Sequence, residues 1–386
     1  MLDKRTFWYL SIFLFFYHSA NTVISTFLPV YYQEKQISGT QIGWLMAVGP
    51  FTSLISQPFW GYMSDKYKTI KKILLICLAG IIVSSIIFLQ MNSFWMIFLF
   101  AAIFFTFFTP AGALGDSLAI NSAPMIGTSF GTIRMWGSIG FAVMSLLGGV
   151  ILARIGIANL LYPFLLFALL AFAITWKVND TSAPSEPINL KRAVQVLIRP
   201  RFLIFTFFIM FVSITHRTND IFSGIYIKQL GGDESLIGMS WFVGVALEAI
   251  VYMLSPIWLK FLSEINYMVL AAGLYGVRWL LFAFASSPTE IIILQALHGI
   301  TFGIFYLCSF QYATNLFPKE FRATGQLFFI TAFFGLSGII GSVGGGIILD
   351  RFTGNALYEL LSYLSFAGCI GLVGYKLIFS KKTQLI

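Results

Sequence analysis

The sequence predicts an all-α membrane protein whose twelve spanning helices form two six-helix bundles arranged as a parallel repeat, with both chain ends in the cytoplasm. Three observations predict this fold: an apolar composition, twelve apolar segments of spanning length, and motifs that recur in the two halves. Hydrophobic residues make up 58% of the 386 residues and charged residues only 10%, whereas a soluble domain carries about 25% charged residues. The chain lacks the polar surface that water requires, so the lipid bilayer is its expected environment.

Twelve segments have the composition of a spanning helix, which needs about 20 mostly apolar residues. Polar or turn-forming stretches such as QEKQISGT, SDKYKTIKK and SSPTE separate them. The segments are 6–32, 41–63, 71–91, 94–121, 130–153, 157–177, 202–228, 235–259, 267–286, 289–313, 325–349 and 356–377.

The longest polar stretch, 178–201, lies between the sixth and seventh segments. We expect a cytoplasmic linker there with a basic amphipathic segment, dividing an N-terminal bundle (1–177) from a C-terminal bundle (202–386). With the N-terminus inside, 17 of the 24 Lys and Arg residues fall in or next to the cytoplasmic loops, four on the other side, and three well inside the segments. Cytoplasmic loops carry the excess of Lys and Arg, which predicts this orientation and a multi-pass protein of the cytoplasmic membrane.

The two halves repeat each other in parallel. HSAN (18–21) and HRTN (216–219) are 198 residues apart, and so are PFWGYMSD (58–65) and PIWLKFLS (256–263). IGWLMAVG and IGMSWFVG share the frame I-G-x5-G in the same order. Parallel repeats of this kind are typical of transporters whose halves rock about a site near the membrane midplane.

Six side chains that are charged at neutral pH lie well inside the predicted segments, away from their ends, three of each sign: Asp116, Arg134, Arg217, Asp220, Glu248 and Arg278. Each would cost about 2.5–3.5 kcal/mol if left unpaired at the centre of a span, and a buried ion pair stabilises less than packed apolar residues do. We therefore interpret these charges as the lining of a working cavity rather than as structural pairs.

The positions of these charges suggest two groups. Asp116 and Arg134 lie at similar depth and are expected to pair in the N-terminal half. Arg217 and Asp220 are three residues apart, which places them on one helix face. We group these two with His216, Glu248, Arg278 and His298 as a proton and charge network.

Such side chains suit proton-coupled transport. A carboxyl group in a low-dielectric cavity holds protons more tightly, and an arginine fork binds carboxylates or hydroxyls. His298 is expected either to relay protons, to bridge Arg278, or to be satisfied by a neighbouring helix. His18 is interpreted as a helix–helix hydrogen bond.

The segment GYMSDKYKTIKK (61–72) resembles the signature of major facilitator transporters. Gly61, Asp65 and Lys66 match it, whereas Lys68 occupies the place of its second glycine. The resemblance implies that the matching residues form a cytoplasmic latch between the halves; the alternative is an ordinary basic loop.

FGTIRMWGSIGF (130–141) resembles the fifth span of lactose permease and its relatives, the oligosaccharide and nucleoside proton symporters and the phenylpropionate permeases. The resemblance implies that Asp116 and Arg134 grip solute hydroxyls. It also implies that Phe141 replaces a tryptophan that stacks on the sugar. Trp136 is a further candidate for the cavity lining.

The same resemblance implies that Asp220, Arg278 and His298 belong to the proton network. Other positions depart from the family, with Gln295 and Phe334 each replacing a lysine, Arg217 replacing an aspartate, and Thr301 replacing the proton-carrying glutamate. We therefore expect Glu248 or Asp220 to carry the proton here.

The expected function is secondary active transport by alternating access: proton symport of a sugar, nucleoside or aromatic acid, by a monomer in the bilayer. A proton-coupled exporter of amphipathic compounds is the alternative, and a non-transporting sensor or a lipid-modifying enzyme is less favoured. No H-E-x-x-H motif occurs and the three cysteines have no regular spacing. We therefore expect no enzyme activity, metal, cofactor or nucleic-acid partner.

Overall fold

The computed structural model describes residues 2–181, 200–318 and 322–379, and within these ranges the chain is helical, with no strands. The predicted all-helical class is confirmed. The long helices are α1 (Leu2–Glu34), α2 (Gly39–Lys66), α3 (Ile70–Phe88), α4 (Phe94–Ser122), α5 (Phe130–Ile155), α6 (Leu161–Thr175), α7 (Pro200–Gln229), α8 (Glu234–Met253), α9 (Glu264–Ala283), α10 (Pro288–Asn315), α11 (Gly325–Arg351) and α12 (Gly354–Phe379).

Within the described ranges, eleven helices are long and apolar enough to cross a membrane. Helix α2 is not among them. It has sufficient length, but Pro50, Pro58 and several serine, threonine, glutamine and glycine residues interrupt its apolar positions. The second span of the sequence analysis therefore stays a prediction.

The described residues divide into two compact units. The first contains residues 2–181 together with Asp233–Met239, and the second contains residues 200–232 and 240–379. Most of the predicted linker, residues 182–199, lies outside the described part of the chain. The bundle boundaries proposed from the sequence stay predictions.

In the first unit, α1 packs along α5 and α6, while α4 packs on α2 and α3. The closest approach between α1 and α5 lies at Gly140, where an added Cβ would be 2.3 Å from the carbonyl oxygen of Phe15. Ser19 reinforces this contact by donating to the carbonyl oxygens of Gly140 at 3.3 Å and Phe15 at 2.8 Å. Small residues allow backbones to approach in this way inside membranes.

We expect Gly140→Ala to lower the free energy of unfolding by about 1–3 kcal/mol, because the new methyl group meets backbone that cannot rotate away. Gly344→Ala is the matched control, since an added Cβ there has nothing within 4 Å. Thermal unfolding of the purified proteins in detergent measures both. Equal melting temperatures for the two variants would contradict the close approach at Gly140.

In the second unit, α7 packs against α11 and α12, and α9 packs against α10 and α12. A buried hydrogen-bonded chain joins three of these helices. Trp279 donates through Nε1 to Oγ1 of Thr215 at 3.0 Å, and the Thr215 hydroxyl lies 3.0 Å from that of Ser365. These contacts help to hold α7, α9 and α12 together on the inner side of the unit.

Helix α2 ends in a Schellman motif. The amide of Lys68 donates to the carbonyl of Asp65 and the amide of Thr69 to that of Ser64, both at 3.1 Å. This motif requires one residue in the left-handed conformation, which is usually glycine. Here Lys68 adopts that conformation, with a φ of 51°. Lys68 is the residue that occupies the second glycine position of the facilitator signature.

We expect Lys68→Gly to raise the free energy of unfolding by about 0.5–1 kcal/mol. A left-handed lysine costs about 1–2 kcal/mol, and the extra chain entropy of glycine offsets about 0.5–1 kcal/mol of that gain. Lys72→Gly, in the helical first turn of α3, should instead lower stability by up to about 1 kcal/mol. Thermal unfolding of both variants tests the sign, and destabilisation by Lys68→Gly would contradict the strain argument.

Candidate functional site

In the first unit, Asp116 of α4 and Arg134 of α5 lie together. Nε of Arg134 is 3.3 Å from Oδ1 of Asp116, and the side chains are 32% and 35% exposed, respectively. The pair has no hydrogen-bonding geometry, because Oδ1 has no hydrogen-bond partner among the described residues. A half-exposed carboxylate and guanidinium with unused hydrogen-bonding capacity are suited to binding hydroxyl groups.

His18 of α1 lies against the same arginine. A Cβ added at Gly137 would be 2.5 Å from Cδ2 of His18 and 2.7 Å from Nη1 of Arg134, so the glycine leaves room for both side chains. Nε2 of His18 is buried and has no hydrogen-bond partner within the described ranges. The helix–helix hydrogen bond expected for this side chain is therefore absent at Nε2, and His18 borders the Asp116–Arg134 pair instead.

Phe141 and Trp136, the other two candidates in this half, occupy different faces of α5. Phe141 follows Arg134 by seven residues, about two turns along the same face. Trp136 packs edge-on against Trp8 of α1, with ring centroids 5.5 Å apart. The structure thus keeps Phe141 on the face of Arg134 and directs Trp136 elsewhere.

In the second unit, Asp220 of α7 accepts a hydrogen bond from Arg217 and lies close to His216, both on its own helix. Nη1 of Arg217 is 2.7 Å from Oδ2 of Asp220, and Nε2 of His216 is 3.4 Å from the same oxygen. The side chain of His216 is 4% exposed, that of Asp220 12% and that of Arg217 25%. We call Asp220 and His216 the Asp220 pair.

Arg278 of α9 is fully buried, with 0% exposure, and no described carboxylate lies within ion-pairing distance of it. Nη2 donates to Oε1 of Gln295 at 2.7 Å and Nη1 to Oγ1 of Thr301 at 3.0 Å. The rings of Trp279 and Phe282 lie 4.5 and 5.4 Å from the guanidinium carbon. Neutral partners and aromatic rings therefore solvate this charge.

His298 of α10 connects Arg278 to Glu248 of α8. Its Nδ1 is 3.5 Å from Nη1 of Arg278, and its Nε2 is 3.2 Å from Oε2 of Glu248. Because arginine offers donors only, Nδ1 of His298 accepts, and Nε2 carries the hydrogen that is donated to Glu248. The sequence analysis left open whether His298 bridges Arg278, and in the structure it does contact Arg278 as well as Glu248. We call Glu248, His298 and Arg278 the Glu248 chain.

Tyr275 of α9 lies between the Asp220 pair and the Glu248 chain. Its hydroxyl is 3.1 Å from Nδ1 of His216. The rings of His216 and His298 are 5.6 Å apart between centroids. The sequence analysis did not identify Tyr275, because an aromatic residue in an apolar segment gives no signal of a polar role.

Two π-helical segments, Gly299–Gly303 in α10 and Thr331–Leu336 in α11, border this network. Each carries an aromatic ring that contacts it. Phe302 stacks on His216 at 4.2 Å and 9°, and Phe334 lies 5.7 Å from the guanidinium carbon of Arg217. π-Bulges are frequent at functional sites, and nothing in the sequence analysis indicated them.

The residues of the predicted cytoplasmic latch lie on α2. Asp65 and Lys66 are exposed in its last turn, and an added Cβ at Gly61 would have no neighbour within 4 Å. Nζ of Lys66 lies 5.6 Å from the ring of Tyr67. The latch role of these residues stays a prediction.

Comparison with known proteins relates the chain to membrane transporters. Residues 7–360 match the model of the MFS_1-like family. An uncharacterized transporter of Bacillus subtilis (strain 168) is 26% identical over 363 residues, which is 92% of this chain and 90% of the relative. The maltose permease of Geobacillus stearothermophilus is 26% identical over 374 residues, 96% of this chain and 94% of the relative.

Other transporters are similar over most of their length. The lactose permease of Citrobacter freundii and a probable 3-phenylpropionic acid transporter of Escherichia coli (strain K12) are each 25% identical, over 88% and 81% of this chain and 86% and 83% of their own. The multi-drug resistance efflux pump PmrA of Streptococcus pneumoniae is 22% identical over 94% of both chains.

Among solved structures, the crystal structure of the nucleoside transporter NupG (D323A mutant) has a TM-score of 0.87 and 16% sequence identity. It covers 96% of this chain and 99% of its own. The structural likeness supports the fold, and the resemblance inferred from the sequence motifs is confirmed by the family match.

Proposed function

Since the chain belongs to the MFS_1-like family, we propose that it is a secondary transporter that imports a neutral, hydroxyl-rich solute together with protons. That it is a membrane transporter and not an enzyme follows from its relatives and structural neighbours, which are transporters of this kind. The topology, the solute and the coupling ion are the parts that we propose.

The proposed topology has twelve spans, both termini in the cytoplasm, and two six-helix bundles, 1–177 and 202–386, with transport by alternating access. The excess of Lys and Arg on one side supports this orientation in the cytoplasmic membrane. We further propose that the chain acts as a monomer.

The arrangement of charges favours a neutral solute over an aromatic acid. In the described spans, Arg134 and Arg217 each face a carboxylate, and Arg278 is fully buried among neutral groups. An anionic solute would have to displace a carboxylate from its arginine, whereas hydroxyl groups can bind both members of such a pair. Two similar transporters are named for maltose and for nucleosides. Both kinds of solute are neutral and rich in hydroxyl groups.

The single observation that carries proton coupling is that two mostly buried carboxylates, 12% and 19% exposed, each contact a histidine. Asp220 contacts His216, and Glu248 contacts His298. A carboxylate that has left water can change protonation at modest cost when a neighbouring group compensates the charge. Binding and release of a proton there would alter the balance of charges around Arg278 during each transport cycle.

Export of amphipathic compounds is the second candidate, and the 22% identity to an efflux pump favours it. Against it, the fifth segment GSIGFAVMSLLGG (137–149) lacks the glycine–proline motif of many facilitator exporters. The charged network can also form hydrogen bonds with a polar solute, which an apolar compound cannot accept. The direction of transport separates the two candidates.

Proteoliposomes containing the purified protein test the proposal. Labelled maltose, uridine and 3-phenylpropionate are each supplied outside, with an imposed pH gradient, acid outside, and with or without an uncoupler. We expect uphill accumulation of at least one neutral solute, abolished by the uncoupler, and none of the acid. Accumulation of the acid alone would overturn the solute class, and accumulation that is indifferent to the uncoupler would overturn proton coupling.

A further inference from the structure

The start of α3 is capped by residues that follow α6 in the chain. The first amides of a helix find no partner within the helix itself. Here the amide of Ile70 donates to the carbonyl of Thr181 at 3.2 Å. The amide of Lys71 donates to Oδ1 of Asp180 at 2.9 Å. Thr69, the N-cap residue, accepts from the third amide at 3.2 Å, so the first three amides of α3 all have partners.

The contact is reciprocal, because Lys71 in turn caps the end of α6. Its Nζ donates to the carbonyl of Trp176 at 2.8 Å, and Trp176 directly follows the last residue of α6. The helix dipole favours an anion near a helix start and a cation near a helix end, and Asp180 and Lys71 supply these two charges. We call Lys71, Trp176, Asp180 and Thr181, joined by these hydrogen bonds, the α3–α6 clamp.

Thr69 connects the α3–α6 clamp to the end of α2. Its hydroxyl donates to Oδ2 of Asp180. Thr69 and Ser64 also exchange two hydrogen bonds: the amide of Thr69 donates to the carbonyl of Ser64 at 3.1 Å, and the hydroxyl of Ser64 donates to the carbonyl of Thr69 at 3.3 Å. Both residues are buried. Because Ser64 directly precedes Asp65 of the predicted latch, a path of hydrogen bonds runs from Asp180 to the segment that carries the latch.

We infer that Asp180 positions the predicted cytoplasmic latch, because it holds Thr69 and thereby the end of α2 that carries Asp65 and Lys66. A latch must bring the same groups together in every transport cycle, so the segment that carries them has to stay fixed within its own bundle. Every contact of this path lies within the first unit. Asp180 acts through Thr69 and is a positioning residue. The inference rests on the proposed function and on the predicted role of the latch.

Hydrogen exchange of the purified full-length protein, without solute and resolved to single amides, tests the path. Asp180 is exposed, so Asp180→Ala should fold. We expect the amides of Lys68 and Thr69 to exchange about fivefold faster or more, although Asp180 accepts from neither, because exchange follows the stability of the contacts that hold the loop. Faster exchange at Ile70 and Lys71 alone would show that Asp180 only caps α3, and would overturn the inference.

Asp233→Ala is the matched control. Asp233 caps the start of α8 in the same way, since it accepts from the amide of Leu236 at 3.0 Å and from the hydroxyl of Ser235. Its loss should leave the exchange of Lys68 and Thr69 unchanged. An equal increase in both variants would show a general loosening of the protein and would contradict the path through Thr69.

A double-mutant cycle tests the role in transport. For the solute that the wild type accumulates, we expect Asp180→Ala and Asp65→Asn each to lower the maximal rate about three- to tenfold with KM near the wild-type value, because a conformational step is slowed. The double variant should be no slower than Asp65→Asn alone. Losses that multiply, or an unchanged rate in Asp65→Asn, would overturn the positioning role.

The two measurements separate this inference from the proposed function. If no solute is accumulated in proteoliposomes, the proposed function fails, whereas hydrogen exchange still decides whether Asp180 holds the end of α2. If solute is accumulated and the exchange of Lys68 and Thr69 is unchanged in Asp180→Ala, the proposed function stands and the inference about Asp180 is wrong.

Discussion

Arg134→Gln and Asp116→Asn are each expected to lower uptake of the transported solute by about 100-fold while the protein still inserts in the membrane. A charged hydrogen bond is worth about 1.5–3 kcal/mol, and each change also leaves the partner charge without its counter-ion. The two side chains are about one third exposed and 3.3 Å apart, so they are accessible to a solute. Uptake into proteoliposomes, normalised to inserted protein, measures the loss.

Arg154→Gln is the matched control for this prediction. Arg154 lies in the last turn of α5, the helix that carries Arg134, and is exposed. We expect near-normal uptake from this variant, because its charge is remote from the Asp116–Arg134 pair along the helix. Substantial uptake by both Arg134→Gln and Asp116→Asn would show that the pair does not bind the solute.

Glu248→Gln is expected to abolish uphill accumulation and to leave downhill equilibration of the same solute. Glutamine has the shape of glutamate and can still accept the hydrogen bond from Nε2 of His298, but it cannot take up a proton. Without the carboxylate that carries the proton, a pH gradient cannot drive accumulation of the solute. The wild type should accumulate solute faster as the outside is acidified, whereas the variant should show no such dependence.

The control for this variant is Glu290→Gln, which changes an exposed glutamate that only bonds to Ser286 and Ser287 at the start of α10. It should retain coupled uptake. Asp220→Asn identifies the carrier: uphill transport that persists in Glu248→Gln and is lost in Asp220→Asn would assign the proton to Asp220.

Much of the candidate site was predictable because the relevant relations are local or depend on charge. Arg217 and Asp220 are three residues apart on one helix, so their contact at 2.7 Å follows from the helical period. Asp116 and Arg134 have opposite signs at similar depth on consecutive helices, and burial of charge favours pairing. The resemblance to the permeases pointed to the same two residues.

Other relations were beyond sequence reasoning because they depend on how helices rotate and approach each other. The sequence grouped Glu248, Arg278 and His298 in one network, but only the packing of their helices shows that His298 lies between the other two. Gly137 had no apparent role until it was found to make room for His18 and Arg134. A glycine in a membrane helix is too common to indicate which side chains it admits.

By itself, the sequence determined the helical membrane character of this protein, its transporter family and which charged residues belong together by helix. Composition, segment length and the sign of each charge are properties of the chain that no packing can alter. Only the tertiary structure decided that Tyr275 contacts His216, that Thr301 accepts from Arg278, and that the π-helical turns place Phe302 on His216 and Phe334 near Arg217. These contacts join residues from different helices, and their hydrogen-bond directions depend on distances that the order of residues does not specify.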